Sequence, residues 1–317
     1  MLTKPMKHQQ VGIDLLMEHE EFYALTCEQG TGKTWMLLAD VEYKLANNMV
    51  DAALVIAPKG VHTNWVRREV PKHIGEGVWD TGYWVPENTK KSMRLRNKLL
   101  SSEEPVLFAM NIDALNTERG YSFAAQFLKT KRCVMIIDES TRIKSPTAGR
   151  SKKAVKLGML AEARRIASGL IMPNGPQDLF NQAEFLKPKG ELLGTPSYRA
   201  FVAEYCELVP ETSPLYQKIL ERSRGRGRPQ IVATDANGKR KYKNLDRLAD
   251  LMSGWCYRVT KDECLDLPKK IYKTAGFDLS PAQRRLYNQI SDDLRIELDN
   301  NLHIFDQLVA RSNSDRS

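Results

Sequence analysis

Phe22 to Leu38 reads FYALTCEQGTGKTWMLL, and its course decides the fold. A short apolar run breaks into Gly30-Thr31-Gly32-Lys33-Thr34 and then takes up helical spacing. Glycines let the backbone curl so that successive N–H groups, and the start of the following helix, face an anion. A lysine at position 33 reaches the β- and γ-phosphates, and the Thr34 hydroxyl is suited to Mg²⁺. The pattern G-x-x-x-x-G-K-[ST] has Cys27 in place of its first glycine. The stretch predicts a nucleoside triphosphate site on the turn between a buried strand and a helix.

About a hundred residues on, Cys133-Val134-Met135-Ile136-Ile137 runs into Asp138-Glu139. A continuous apolar run of this length suits a parallel strand covered on both faces, and its carboxyl end is where an open α/β sheet binds ligands. Asp138 is placed to hold Mg²⁺ through water and Glu139 to orient an attacking water. Strands are expected at 22–27, 52–57, 106–110, 133–137 and about 164–167, alternating with helical patterns such as Thr34 to Asn47. That alternation is the signature of βαβ units and a doubly wound parallel sheet, an α/β fold.

Composition agrees with an intracellular protein. The longest apolar runs, such as AALVIA, fall far short of the roughly twenty residues a bilayer requires, and MLTKPMKHQQ lacks the apolar core of a signal peptide. A membrane partner is not expected, and the expected location is cytoplasmic. Five cysteines at 27, 133, 206, 256 and 264 form no C-x-x-C and read as reduced thiols. No zinc spacing arises with the five histidines, which leaves Mg²⁺ as the expected metal.

With these motifs placed, the chain resembles the Swi/Snf-like DNA translocases of helicase superfamily two almost from end to end. Met6 to Ile13 is similar to the leading glutamine motif, which implies that Gln9 reads adenine and that the triphosphate is ATP. Thr26 to Thr34 resembles the family's phosphate loop, which itself lacks the early glycine. Ala53 to Glu69 (ALVIAPKGVHTNWVRRE) and Val106 to Leu115 resemble the strands and loops along the DNA track, implying DNA contacts at Lys59, Asn64, Trp65 and Asn111, although packing beneath the DNA-facing loop is the favoured reading of Trp65 because tryptophans are highly buried on average. Asp138 to Ser145, DESTRIKS, resembles the DE-box with Thr141 for the usual histidine. Arg165 to Pro188 aligns without a gap to the coupling motif; it keeps Ser168 and Gly169, while Leu170-Ile171 replace Thr-Pro.

The resemblance implies a RecA-like first motor lobe over 1–268 and the start of a second over 269–317. Nothing after Lys270 resembles the arginine-finger motif, so a second lobe is expected in cis or in trans. Ser280 and Pro281 are expected to open a helix running to about Ala310.

Charge is concentrated locally. From Arg222 to Lys243, eight basic residues face one acid, a net +7 of the chain's +9, inside an insertion spanning about 207–245. Clustered Lys and Arg bind polyphosphate by counterion release. Arg224-Gly225-Arg226-Gly227-Arg228-Pro229 resembles an AT-hook core, a short segment that lies along a narrow minor groove. Asn237-Gly238 predicts a type I′ hairpin over 230–243. Lys90, Lys91, Arg94, Arg96 and Lys98 read as one solvated helix face in preference to a DNA-facing one, and Met6, Met17 and Met36 as core.

Taken together, these features point to the ATP-binding lobe of a double-stranded-DNA-dependent ATPase of the compact kind found in bacteria and their viruses. Lys33, Asp138 and Glu139 form its catalytic set, Gly30 to Thr34 cradle the phosphates, and Ser168 couples. A non-catalytic DNA-binding adaptor built on the basic insertion is the reading from another class, and a strand-separating helicase shares every motif.

Overall fold

The computed structural model describes residues 1–222, 230–266, 268, 273, 274 and 276–300, with side chains as far as residue 291. The chain divides into two compact units, Met1–Leu267 and Pro268–Ser317. In the first, seven strands form one sheet: Phe22–Leu25 (β1), Ala52–Ala57 (β2), Asp80–Tyr83 (β3), Val106–Asn111 (β4), Cys133–Asp138 (β5), Ala163–Ala167 (β6) and Cys256–Tyr257 (β7). Their order is β3-β4-β2-β5-β6-β1-β7, and every neighbouring pair is parallel. Parallel neighbours need crossover connections, and helices supply them on both faces.

The strands bury both of their faces. Along β2, Leu54 and Ile56 enter one apolar layer with Phe108, Met135 and Phe127, while Val55 and Ala57 enter the other with Met36, Leu107 and Ile136. A strand covered on both sides cannot alternate apolar with polar residues, so AALVIA and CVMII are unbroken.

Two helices frame the site, Lys7–Glu18 (α1) and Lys33–Ala46 (α2). They approach closely at Gly12, where a β-carbon would stand 2.5 Å from the Met36 sulfur. In the sheet order β6 lies between β1 and β5. Ser168, at the end of β6, therefore emerges between the phosphate loop and the acid pair.

Several expectations are corrected. β3 and β7 did not announce themselves in the sequence: one is the short polar DTGY, the other two residues long, and both are sheet edges. The chain leaves β6 after Leu25, and the Thr26 and Glu28 amides donate instead to the carbonyls of Tyr257 and Val259. Chain reversal occurs over 230–243, with Thr234 bridged antiparallel to Arg240, but the turn is not type I′. That type needs positive φ at both central residues. Only Gly238 has it, at +78°, while the Asp235 carboxylate accepts the N–H groups of Asn237 and Lys239. This is a type I turn closed by a left-handed glycine.

The helix Lys90–Ser101 is not a wholly solvated face. Arg96 lies 5.1 Å above the Trp84 ring and Lys98 pairs with Asp80 at 2.7 Å. In the second unit, Ser280 caps the helix Pro281–Asn300 through the Gln283 amide; the expected extension beyond residue 300 lies outside the described residues.

Candidate nucleotide-binding site

The loop over residues 30–34 is shaped by Gly32. It sits at φ +86°, the left-handed region, and a β-carbon there would fall 2.1 Å from the Gln9 amide nitrogen. Only glycine meets both demands. Gln9 itself is buried; its amide donates to the Thr31 carbonyl at 3.1 Å and its carbonyl accepts the Met6 N–H at 2.9 Å. The imidazole of His8 meets the same Thr31 oxygen at 2.8 Å. Thr31 turns inward, its hydroxyl donating to Glu28 O at 2.8 Å, so it shapes the loop rather than lining the cavity. Lys33 begins α2, and its Nζ donates to the carbonyls of Cys27 at 2.9 Å and Glu28 at 3.3 Å. Burial lowers the Lys33 pKa, and the charges of Glu139 and Asp138 oppose that.

Across β6, Asp138 closes β5. The Trp65 indole donates to Asp138 Oδ2 at 3.0 Å and the Glu139 amide to Oδ1 at 3.1 Å. Burial pushes the Asp138 carboxyl up; the indole N–H and Lys33 pull it back. Glu139 adopts φ +53°, uncommon for a non-glycine residue and worth about 1–3 kcal/mol of strain. Its carboxyl is raised by burial and then by Asp138, against Lys33, Gln29 and Ser168. A cavity of about 690 Å³ opens here, lined by Gln9, Gly30, Gly32, Lys33, Thr34, Asp138 and Glu139 among others. Met6, expected in the core, lines it too and is 53% exposed.

A second cavity of about 340 Å³ lies on the other side of Glu139, where Ser168, Gly169, Gln29 and Lys261 meet. Ser168 is buried, and its Oγ accepts the Leu170 N–H at 3.3 Å. The small residues at 168 and 169 allow this approach: a β-carbon on Gly169 would lie 2.9 Å from the Gln29 side chain.

The remaining positions do not join the cavity. Trp65 is packed inward at 1% exposure and does not present a face for base stacking; its indole is the donor to Asp138. It starts a π-helical turn, Trp65–Glu69, which also brings Glu69 to the cavity wall. Such turns are frequent at functional sites. Asn111 caps the turn that follows β4, its Oδ1 accepting the Ala114 N–H at 2.9 Å. Lys59 and Asn64 are exposed on the loop and short helix after β2. Arg224, Arg226 and Arg228 lie outside the described residues.

Sequence reasoning missed a buried ionic cluster beneath the site. Arg165 on β6 and Asp40 on α2 are both 0% exposed and meet at 3.0 Å, and Lys44 lies 3.3 Å from the same carboxylate. Arg165 also donates to the carbonyls of Leu16, His19 and Glu20 around the end of α1. The signal was an arginine inside an otherwise buried strand, ARRIA.

Residues 8–314 match the SNF2-related domain. The chain belongs to that family. Over 301 residues this SNF2-related chain is 27% identical to mouse "DNA annealing helicase and endonuclease ZRANB3", covering 88% of itself and 23% of that protein. Over 305 residues it is 25% identical to "Chromatin-remodeling ATPase INO80" of Aspergillus terreus, covering 93% of itself and 16% of that protein. It thus spans a quarter or less of these two curated relatives. Its fold matches the Sulfolobus solfataricus SWI2/SNF2 ATPase core solved in complex with dsDNA, with a TM-score of 0.55 at 21% identity, covering 95% of this chain and 55% of that one. That likeness shows the fold, a RecA-like α/β sheet. Among the described residues no helix is long and apolar enough to cross a membrane.

Proposed function

We propose that this SNF2-related lobe binds and hydrolyses ATP in response to duplex DNA, as the first motor lobe of a translocase. One observation carries the reading: Gln9, Lys33, Thr34, Asp138 and Glu139 come from separate segments of the chain and converge on one cavity. Lys33 and the amides opening α2 bind the phosphates. Gln9, locked against the loop, selects adenine. Glu139, its carboxyl raised by its surroundings, orients the water and accepts its proton.

Thr34 and Asp138 are oxygen donors of the kind Mg²⁺ prefers, and the buried Asp138 carboxylate gains from a cation beside it. Mg²⁺ bound there supplies charge neutralisation on the β- and γ-phosphates.

Duplex DNA as substrate is supported by the exposed Lys59 and Asn64 beyond β2 and by the basic insertion. A second motor lobe, in cis or in trans, and a compact bacterial or viral setting with a cytoplasmic location belong to the same proposal, on the strength of the sequence resemblance.

Calorimetry with Mg-ATP on the chain and on Lys33→Ala, followed by hydrolysis with and without duplex, tests it. Removing one charged interaction of about 1.5–3 kcal/mol predicts roughly 10- to 150-fold weaker binding by Lys33→Ala. Equal affinities remove Lys33 from the site. Duplex binding with no ATP binding returns the chain to the adaptor reading.

A further inference from the structure

The basic hairpin is pinned to the loop that follows Ser168-Gly169. The Tyr242 hydroxyl donates to the Asn174 carbonyl at 2.7 Å, and Arg240 Nη1 donates to the same oxygen at 2.9 Å. Gly175 makes room for this contact. It lies at φ +119°, and a β-carbon there would stand 2.1 Å from the Tyr242 hydroxyl.

From Asn174 the bonds run on toward the acid pair. Its backbone N–H and its side-chain amide both donate to Asp178 Oδ2, at 2.9 and 3.0 Å. Lys144 reaches that same oxygen at 3.2 Å. Lys144 follows the short helical turn Ser140–Ile143, whose first bond is from the Arg142 amide to the Glu139 carbonyl. The hairpin is thus tied to Glu139 twice, through Asn174–Asp178–Lys144 and through the backbone leading to Ser168.

The outer side of the hairpin suits a polyanion. Lys239 and Lys243 are exposed there, and the Asp235 carboxylate is committed to the turn amides. Lys241 has Glu207 at 3.8 Å. Phosphates of a duplex would find two exposed cations, Lys239 and Lys243, on an element whose inner side is anchored to the loop after Ser168-Gly169.

We propose that this hairpin is the contact through which bound duplex acts on the ATP site, with Tyr242 and Asn174 as the positioning residues of the link. The proposal rests on the ATPase reading above. Duplex held by Lys239 and Lys243 restrains the hairpin, the hairpin restrains residues 169–178, and these restrain Ser168 beside Glu139. Coupling of this kind is reciprocal, so nucleotide and duplex change each other's affinity by one common factor, typically 5- to 150-fold.

Two measurements on the chain test it: amide exchange over residues 169–178 with and without a duplex, and the affinity for a non-hydrolysable Mg-ATP analogue under both conditions. Duplex is expected to slow exchange in that loop and to shift analogue affinity at least about fivefold. Tyr242→Phe, which removes one hydroxyl, should reduce the shift to about twofold or less, and Tyr242→Ala should abolish both effects. Duplex affinity and analogue affinity without DNA should stay unchanged in both variants. Full coupling in Tyr242→Ala, or duplex binding that leaves loop exchange untouched in the parent, overturns the link. A parent chain that binds no analogue or no duplex overturns the ATPase reading instead, and that result is seen before any variant is made.

Discussion

Replacing Asp40 should cost this lobe a large part of its stability, although the residue touches no nucleotide. Its carboxylate is the shared partner of two buried cations, Arg165 at 3.0 Å and Lys44 at 3.3 Å, all three at most 1% exposed. Removing one partner of a buried pair leaves an uncompensated charge, at about 3–5 kcal/mol. Total stabilities are about 5–15 kcal/mol, so the change is a large fraction of the whole. Asp40→Asn keeps an acceptor oxygen and should fall at the lower end, while Asp40→Leu should reach the upper one. For a unit of this size the loss corresponds to a fall in Tm of about 6–20 °C. Urea unfolding followed by tryptophan fluorescence reads it directly. The triple change Asp40→Leu, Lys44→Met, Arg165→Met should recover only part of the loss. Arg165 also satisfies the carbonyls of Leu16, His19 and Glu20, and stranding such groups costs about 1–3 kcal/mol each. An Asp40→Leu variant within about 1 kcal/mol of the parent would refute the reasoning.

Glu139→Gln should raise Tm near neutral pH. Burial and Asp138 raise this carboxyl, so between the ordinary glutamate pKa of about 4.3 and its folded value the native state holds the extra proton, and stability falls as pH rises through that window. Solvent screens this partly exposed carboxyl, so the gain should fall short of the full free energy of the shift, and it should vanish at pH values below the window; an unchanged Tm at pH 7 would contradict it. Trp65→Phe removes the N–H on Asp138, a charged hydrogen bond worth about 1.5–3 kcal/mol. Mg-ATP affinity should drop and its pH profile move upward as Asp138 becomes harder to ionise; reduced stability with an unmoved profile would make the indole a packing group only. Lys239→Gln with Lys243→Gln should weaken duplex binding and flatten its salt dependence, the slope falling by about 0.9 for each phosphate no longer neutralised. An identical slope in titrations from low to high salt would remove the hairpin from the DNA surface.

What was legible in the sequence was local chemistry repeated along the chain. Gly32-Lys33-Thr34 after an apolar run, and Asp138-Glu139 after another, depend on nearest neighbours, and their elements formed within a residue or two of the expected bounds. The illegible features depend on partners far away in sequence. Trp65 reads as packed beneath its loop, but nothing near it in sequence names the acceptor of its indole, which lies 73 positions on. Asp40 and Lys44 are spaced i, i+4 and read like any exposed helical pair; only Arg165, 125 positions from Asp40, shows them buried. β7 has two residues and no pattern of its own, yet it completes the sheet beside β1.

The buried charges also explain why these three elements stay in register. Arg165 joins β6, α2 through Asp40 and the end of α1 through three carbonyls. Each of these elements carries a site residue at or near its other end: Ser168 follows β6, Lys33 opens α2 and Gln9 lies in the first turn of α1. An apolar cluster of equal volume would hold them together but let them slide, since apolar contact is not directional. A guanidinium bound by one carboxylate and four carbonyls, that of Arg164 included, fixes angle as well as distance. Loosening it should therefore show in Mg-ATP affinity as well as in stability. Asp40→Asn, assayed well below its Tm, should bind more weakly even though Lys33, Thr34 and Asp138 are all intact. Parent-like affinity in a destabilised Asp40→Asn would mean that the cluster supports the fold without aligning the site.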